Sequence, residues 1–283
     1  MEVAATFILN LIYVSATLAL IALGLAMVFG LLGVMNMAHG EFVMLGAYSV
    51  YVVQLAGQHF LWAIPVAILV CVAVGWLMEW LVVRHLYSRP FDTLLATWGV
   101  AILIRKGTEV IFTRDYKSVN QIMPGTIDLF GVSYPAYRLL LVALIIALFV
   151  ALFTWYQKSK AGLKIRAMVQ GPELAAAVGI DTARLSRATF IIGVSSAGLA
   201  GVLLAPLVRV EPYIGLDYLM SSFFILVVGG LGTLEGLLIG SSVIGGSDAL
   251  VSTIFDKTAG YMSVLLISIL FLWLRPDGIF YRR

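Results

Sequence analysis

The chain has 283 residues, 61% of them hydrophobic and 12% charged, with a net charge of +3 and a mean hydropathy of +1.03. Soluble domains carry roughly 25% charged residues, so half that share excludes an ordinary soluble enzyme or nucleic-acid-binding module and places the chain in the membrane class. The apolar runs are continuous rather than alternating, which favours spanning helices over a barrel.

The opening MEVAATFILN has no positively charged n-region and reads as the start of a first span rather than as a cleaved leader. Spans are expected at about 7–34, 41–56, 61–83, 93–112, 138–157, 187–208, 218–234, 237–255 and 260–274. An all-α polytopic membrane protein of about eight to nine helices, some broken or short, in one transmembrane domain over 1–283, is expected. The single cysteine, Cys71, lies in an apolar run, so no intrachain disulfide can form.

Basic residues in short loops set the orientation. With the N-terminus outside, eleven face inward: Arg84, Arg89, Lys158, Lys160, Lys164, Arg166, Arg184, Arg187, Arg275, Arg282 and Arg283. Five face outward: Arg114, Lys117, Arg138, Arg209 and Lys257. The bias predicts an external N-terminus and a cytosolic C-terminus. The external segment 113–137 contains turn formers and reads as a small cap. The internal segment 158–186 carries Pro172, suited to a first helical turn, then the helix-forming ELAAAV and Gly179 as the glycine beyond the helix end. A short basic-flanked helix is therefore expected at the cytosolic surface.

Three stretches place polar groups where they are expensive. In MNMAHGEF, Met35 to Phe42, Asn36, His39 and Glu41 surround Gly40, which frees the backbone to leave the helix. One reading is a tight turn capped by Asn36 and Glu41. The other is a helix break lining a polar path, because unwound backbone at membrane depth must be buried in protein or face a water-filled cavity. In GGLGTLEG, Gly229 to Gly236, the glycines read as close helix packing or as a second break facing the first across a central path; Thr233 and Glu235 are its polar members. In RPFDTLLATWGV, Asp92 is placed to cap a helix starting at Thr93. Thr93 and Thr97 share a face beside Trp98, either lining a path or bonding back to helix carbonyls. Arg105 and Lys106 follow, with Glu109 four residues after Arg105 as its expected partner. His39, His59 and His85 are scattered and no metal cluster is expected. No G-x-x-x-x-G-K-[ST] loop, H-E-x-x-H or G-x-S-x-G is present, so nothing supports nucleotide hydrolysis or another enzymatic activity in this chain.

The stretches GLLGVMNMAHGEFVMLGAY, KIRAMVQGPELAAAVGIDTARLSRATFIIGVSSAGLAGVL and FFILVVGGLGTLEGLLIGSSVIG resemble, in order, three signatures of the branched-chain amino acid permease family of bacterial ABC importers. HLYSRPFDTLLATWGVAILI looks most like the urea-transport branch, as its first permease subunit. The resemblance implies a permease of the bacterial inner membrane that serves nitrogen uptake. It would pair with a homologous permease, two cytosolic ATPases that hold ATP and Mg, and an external binding protein, and would bind no cofactor itself. It also implies that the internal helix is the coupling helix, with Glu173, Ala175, Ala176 and Gly179 on its motif. The solute expected is urea, with a branched-chain amino acid or short amide as the alternative, and an ATP-independent carrier as the alternative of another class. The expected solute path comprises Asn36, His39, Glu41, Thr93, Thr97, Trp98, Thr233 and Glu235. Neutral polar residues would be expected where Arg105 and Lys106 stand.

The orientation has a direct test. In a Cys71→Ser background, single cysteines at Ser133 and Ser159 are exposed to an impermeant thiol reagent in intact cells. Position 133 should label and 159 should not; the reverse pattern overturns the assignment.

Overall fold

The computed structural model describes residues 2–87, 89–129, 131–230, 233–275 and 278–279. Arg282 and Arg283 of the charge count, and Leu231 and Gly232 of the second glycine-rich stretch, lie outside them. Among the described residues nine long helices predominate: α1 Glu2–Leu32, α2 His39–Leu55, α3 Ala63–Leu81, α4 Pro90–Phe112, α5 Ala136–Lys158, α8 Thr182–Leu204, α9 Ile214–Gly229, α10 Leu234–Ile254 and α11 Lys257–Leu274. Two short helices, α6 Lys160–Gln170 and α7 Pro172–Ala177, join α5 to α8. Six helical segments, those built on α1, α3, α5, α8, α10 and α11, are long and apolar enough to cross a membrane. Three of the nine expected spans are not among these six: α2 and α9, expected as short spans, have 17 and 16 residues, below the roughly 20 that a full crossing takes, and α4 carries Asp92, Arg105, Lys106 and Glu109.

Two expectations for the connecting segments also change. The segment after α4 holds an antiparallel hairpin, β1 Thr126–Leu129 with β2 Val132–Pro135, in register Thr126 opposite Pro135. Tyr134 of β2 donates its hydroxyl to Asn10 of α1 at 3.1 Å, which fixes the hairpin at one end of the bundle. At the other end, rich in basic residues, the single helix expected between Lys158 and Arg187 is two. Gly171 separates them in an extended conformation, φ −168°, and Pro172 opens α7 at its first turn. Gly179 adopts φ +87°. Its N–H bonds Ala176 O at 3.0 Å, and that of Ile180 bonds Ala175 O at 3.0 Å, the pair of bonds that closes a helix on a left-handed glycine.

The core is built where backbones touch. α8 packs against α1, α2 and α3, and α1 packs also along α10 and α9. Glycines on α8 make this possible. A Cβ on Gly193 would meet Gly24 O of α1 at 2.9 Å, and one on Gly201 would meet Ala47 N of α2 at 3.0 Å. A Cβ on Gly198 would meet the Cys71 side chain of α3. SSAGLAG is thus a packing surface, and GGLGTLEG is one too: Gly229 N and Cα of α9 lie 3.0 and 3.1 Å from a Cβ built on Gly240 of α10, which clamps α9 to α10. Glu79, buried near the end of α3, accepts from Arg187 Nε of α8 at 2.9 Å and from Tyr87 at 3.5 Å, so the basic end is tied by an ion pair as well.

Close packing predicts opposite effects for two glycines. A Cβ at Gly46 stands 2.9 Å from Gly198 Cα, whereas nothing lies within 4 Å of one at Gly99. Gly46→Ala should cost about 1–3 kcal/mol through backbone displacement, and Gly99→Ala should gain about 0.5–1 kcal/mol from helix propensity. Thermal unfolding of the purified chain in detergent reads both; equal midpoints would contradict the packing described.

Candidate functional site

The first polar stretch forms a break, but not at the expected residue. α1 ends at Leu32, Gly33 turns the chain with φ +65°, and irregular backbone runs to Ala38 before α2 begins at His39. Gly40 is helical. Its lack of a side chain serves contact instead, since a Cβ there would strike the backbone of Gly215 at the start of α9.

The break runs back alongside α1 rather than away from it. His39 Nε2 lies 2.8 Å from Ile21 O, eleven residues and about 16 Å back from the end of α1 at 1.5 Å per residue. α2 therefore starts deep inside the bundle. α9 starts against it, at Gly215, so two helix N-termini abut in the interior. The loop backbone is satisfied locally: the Ala38 N–H bonds Asn36 Oδ1 at 3.0 Å, and the Met37 N–H bonds Thr97 Oγ1 of α4 at 3.1 Å. Asn36, His39 and Glu41 are all buried. Each keeps one side-chain polar atom without a partner among the described residues: Asn36 Nδ2, His39 Nδ1 and Glu41 Oε2.

Glu41 supplies the strongest interaction here. Its Oε1 accepts from Arg105 Nε of α4 at 3.1 Å and also from Arg105 Nη2. The expected Arg105–Glu109 pairing is corrected. Glu109 instead takes Lys106 Nζ at 2.8 Å and Arg114 Nε. Arg105 must turn away from its helical neighbour because positions 93, 97, 101, 105 and 108 form the buried stripe of α4, while Lys106 and Glu109 lie outside it. Tyr213, preceding α9, gathers the three cations: its ring centroid lies 5.6 Å from the Arg105 guanidinium carbon and 6.0 Å from both Lys106 Nζ and the Arg114 guanidinium carbon. The sequence signal for this cluster was the unexpected IRKG; nothing in sequence marked Tyr213. Glu79 was missed too, although a lone carboxylate in an apolar span was itself a signal.

The other expected path residues separate. Thr93 Oγ1 donates to the Leu86 and Arg89 carbonyls at 2.7 and 2.9 Å, and Thr97 donates to Leu94 O at 3.0 Å, so both bond back while Thr97 also holds the loop. Trp98 is 52% exposed on the outer face of α4. Asp92 does not cap the helix, which begins at Pro90; it pairs with Arg89 at 3.7 Å. Thr233 caps α10 through Gly236 N–H at 3.0 Å. Thr233 and Glu235 line a separate cavity of about 570 Å³ with Met27, Trp155, Arg166 and Gln170. Leu23, Ala26 and Leu31 of α1 line that cavity as well, and Asn36, His39 and Glu41 are not among its lining residues. Glu173 and Ala176 are exposed and Ala175 is buried; Leu174 and Val178 add exposed apolar surface beside Gly179.

Comparison with known proteins gives one consistent answer. A family model described as branched-chain amino acid transport system / permease component matches residues 7–274. The high-affinity branched-chain amino acid transport system permease protein LivH of Salmonella typhimurium is 29% identical, over 95% of this chain and 93% of that one. BraD of Pseudomonas aeruginosa, of the same description, is 27% identical over 96% and 94%. A probable LivH of Methanocaldococcus jannaschii is 27% identical over 94% and 89%. Among solved structures, PsaBC from Streptococcus pneumoniae in complex with Fab shares the fold, with a TM-score of 0.53 and 12% identity over 96% of this chain and 92% of that one. With its helical bundle, its interior helix break and a family match spanning nearly its whole length, the chain belongs to the family of branched-chain amino acid transport system permease components.

Proposed function

We propose that this chain is the permease subunit of an ABC importer that carries a branched-chain amino acid inward, with ATP hydrolysed by partner subunits. The observation that carries the solute is the likeness over nearly full length to permeases named for branched-chain amino acids. The charged cluster around Arg105 and Glu41 supports it, since a zwitterion gains from fixed charges that an uncharged solute does not. Urea is the second reading, favoured by HLYSRPFDTLLATWGVAILI.

This reading includes as partners a second permease, two cytosolic ATPases holding ATP and Mg, and an external binding protein, in a bacterial inner membrane; the bias of basic residues supports an N-terminus outside and a C-terminus in the cytosol. α7 is the docking helix of this reading. It projects Glu173, Leu174, Ala176 and Val178 from the basic end, and Gly179 closes it where a side chain would meet both a left-handed backbone and an ATPase groove. At the interior break, Asn36, His39 and Thr97 hold the start of α2 so that Glu41 is presented to Arg105. Thr93 supports the foot of α4, and Trp98 faces lipid or the second permease. Thr233 and Glu235 belong to the inner mouth.

Uptake of labelled leucine and urea by the reconstituted complex of permeases, ATPases and binding protein tests the solute. Leucine should accumulate with ATP and urea should not; the opposite result establishes the second reading. Coupling is tested in the same system. Gly179→Trp should leave the chain in the membrane but abolish solute-stimulated ATP hydrolysis. Gly57→Trp imposes the same left-handed strain, φ +67°, at the opposite end, and should keep it. Normal stimulated hydrolysis in Gly179→Trp removes α7 as the docking element.

A further inference from the structure

Arg105 and Glu41 are bonded to each other, yet each keeps unspent capacity. Arg105 Nε and Nη2 both donate to the same oxygen, Glu41 Oε1. Glu41 Oε2 is buried and has no partner among the described residues. Arg105 Nη1 takes part in no hydrogen bond among those residues. A guanidinium has five donors and a carboxylate about four acceptor sites, so a pair this buried, with side chains 10% and 2% exposed, is ordinarily satisfied more fully.

The pair also has a charged approach. Exposure falls from Arg114, two residues past the end of α4, at 66%, through Lys106 at 50%, to Arg105 at 10%, and all three cations stand around the one Tyr213 ring. Around that ring the three cations bond two carboxylates, Glu109 and Glu41, while Asp115 pairs with Lys117 and Glu211 stands two residues before Tyr213. The abutting N-termini of α2 and α9 add positive potential at the inner end of this line. A carboxylate is drawn along such a line, and a neutral solute is not.

We propose that Arg105 and Glu41 are the specificity-determining pair for the charged head of the solute: Arg105 receives its carboxylate and Glu41 its ammonium. This rests on the amino acid reading given above. A zwitterion inserted between the two groups exchanges one ion pair for two, so neither charge is left bare in the interior during passage. Once the solute leaves, the pair closes on itself and seals the way between α2 and α4. Asn36, His39 and Thr97 act as positioning residues, holding Glu41 through the start of α2.

The test uses the complete reconstituted complex at saturating leucine-loaded binding protein. Glu41→Gln with Arg105→Gln replaces the ion pair by two hydrogen-bonding amides, which still brace α2 against α4. A bracing role alone predicts leucine uptake within about twofold of native. Recognition predicts a fall of at least about tenfold in turnover, with the half-saturating concentration of loaded binding protein unchanged because docking lies elsewhere. Arg105→Lys keeps the charge but not the forked donor geometry, and should fall at least about threefold even where the double variant assembles poorly. Near-native turnover in either assembled variant overturns the inference while leaving the amino acid reading intact. A native complex that imports urea but not leucine overturns both.

Discussion

Irregular backbone inside an apolar bundle must find its hydrogen bonds within the protein, and the segment from Gly33 to Ala38 is arranged around that requirement. Water cannot be relied on there, and each unmatched polar group costs several kcal/mol in hydrocarbon. The loop meets the cost with short-range bonds: Gly33 N–H to Phe29 O, Ala38 N–H to the Asn36 side chain, His39 N–H to Asn36 O. Two long-range bonds, Met37 N–H to the Thr97 hydroxyl and that hydroxyl to Met35 O, draw α4 onto the loop. The position of α4, and with it of Arg105, follows from where that loop lies.

The same constraint explains why glycine appears where it does. For α2 to start deep in the bundle, α8 and α9 must come within backbone contact of it, and α1 within backbone contact of α8. Gly24 and Gly193, Gly46 and Gly198, Gly40 and Gly215 meet in pairs. Between helices in lipid there is little hydrophobic gain, so contact of this kind is what holds them. A short helix such as α2 or α9 makes up for its missing turns with this packing, and its N-terminus is kept in the interior instead of at the surface.

Charge is then placed where that geometry leaves room. Glu41 lies in the first turn of α2, where the helix dipole favours an anion, and Arg105 answers it from α4. Removing one member of a buried pair costs about 3–5 kcal/mol, so the two are bound to act together. Glu79 and Arg187 repeat the device at the basic end between α3 and α8. Neither pair is close in sequence: 64 residues separate Glu41 from Arg105 and 108 separate Glu79 from Arg187.

Sequence by itself determined the membrane class, the presence of the long helices and the capped helix Pro172–Ala177. Each rests on local chemistry: run length, apolar continuity, a proline at a first turn, a glycine at φ +87°. It also marked MNMAHGEF as a break, because polar residues interrupt an apolar run. It placed the hinge at Gly40 rather than Gly33, since both are glycines and only neighbours distinguish a turn from a contact. Only the tertiary structure decided that the break folds back to Ile21, that Arg105 bonds Glu41 and not Glu109, and that Thr233 and Glu235 line a cavity that Asn36, His39 and Glu41 do not. Helical spacing proposes i,i+4 partners, but which face of α4 is buried is set by the helices packed against it. That packing depends on residues far away in the chain, and no local pattern records it.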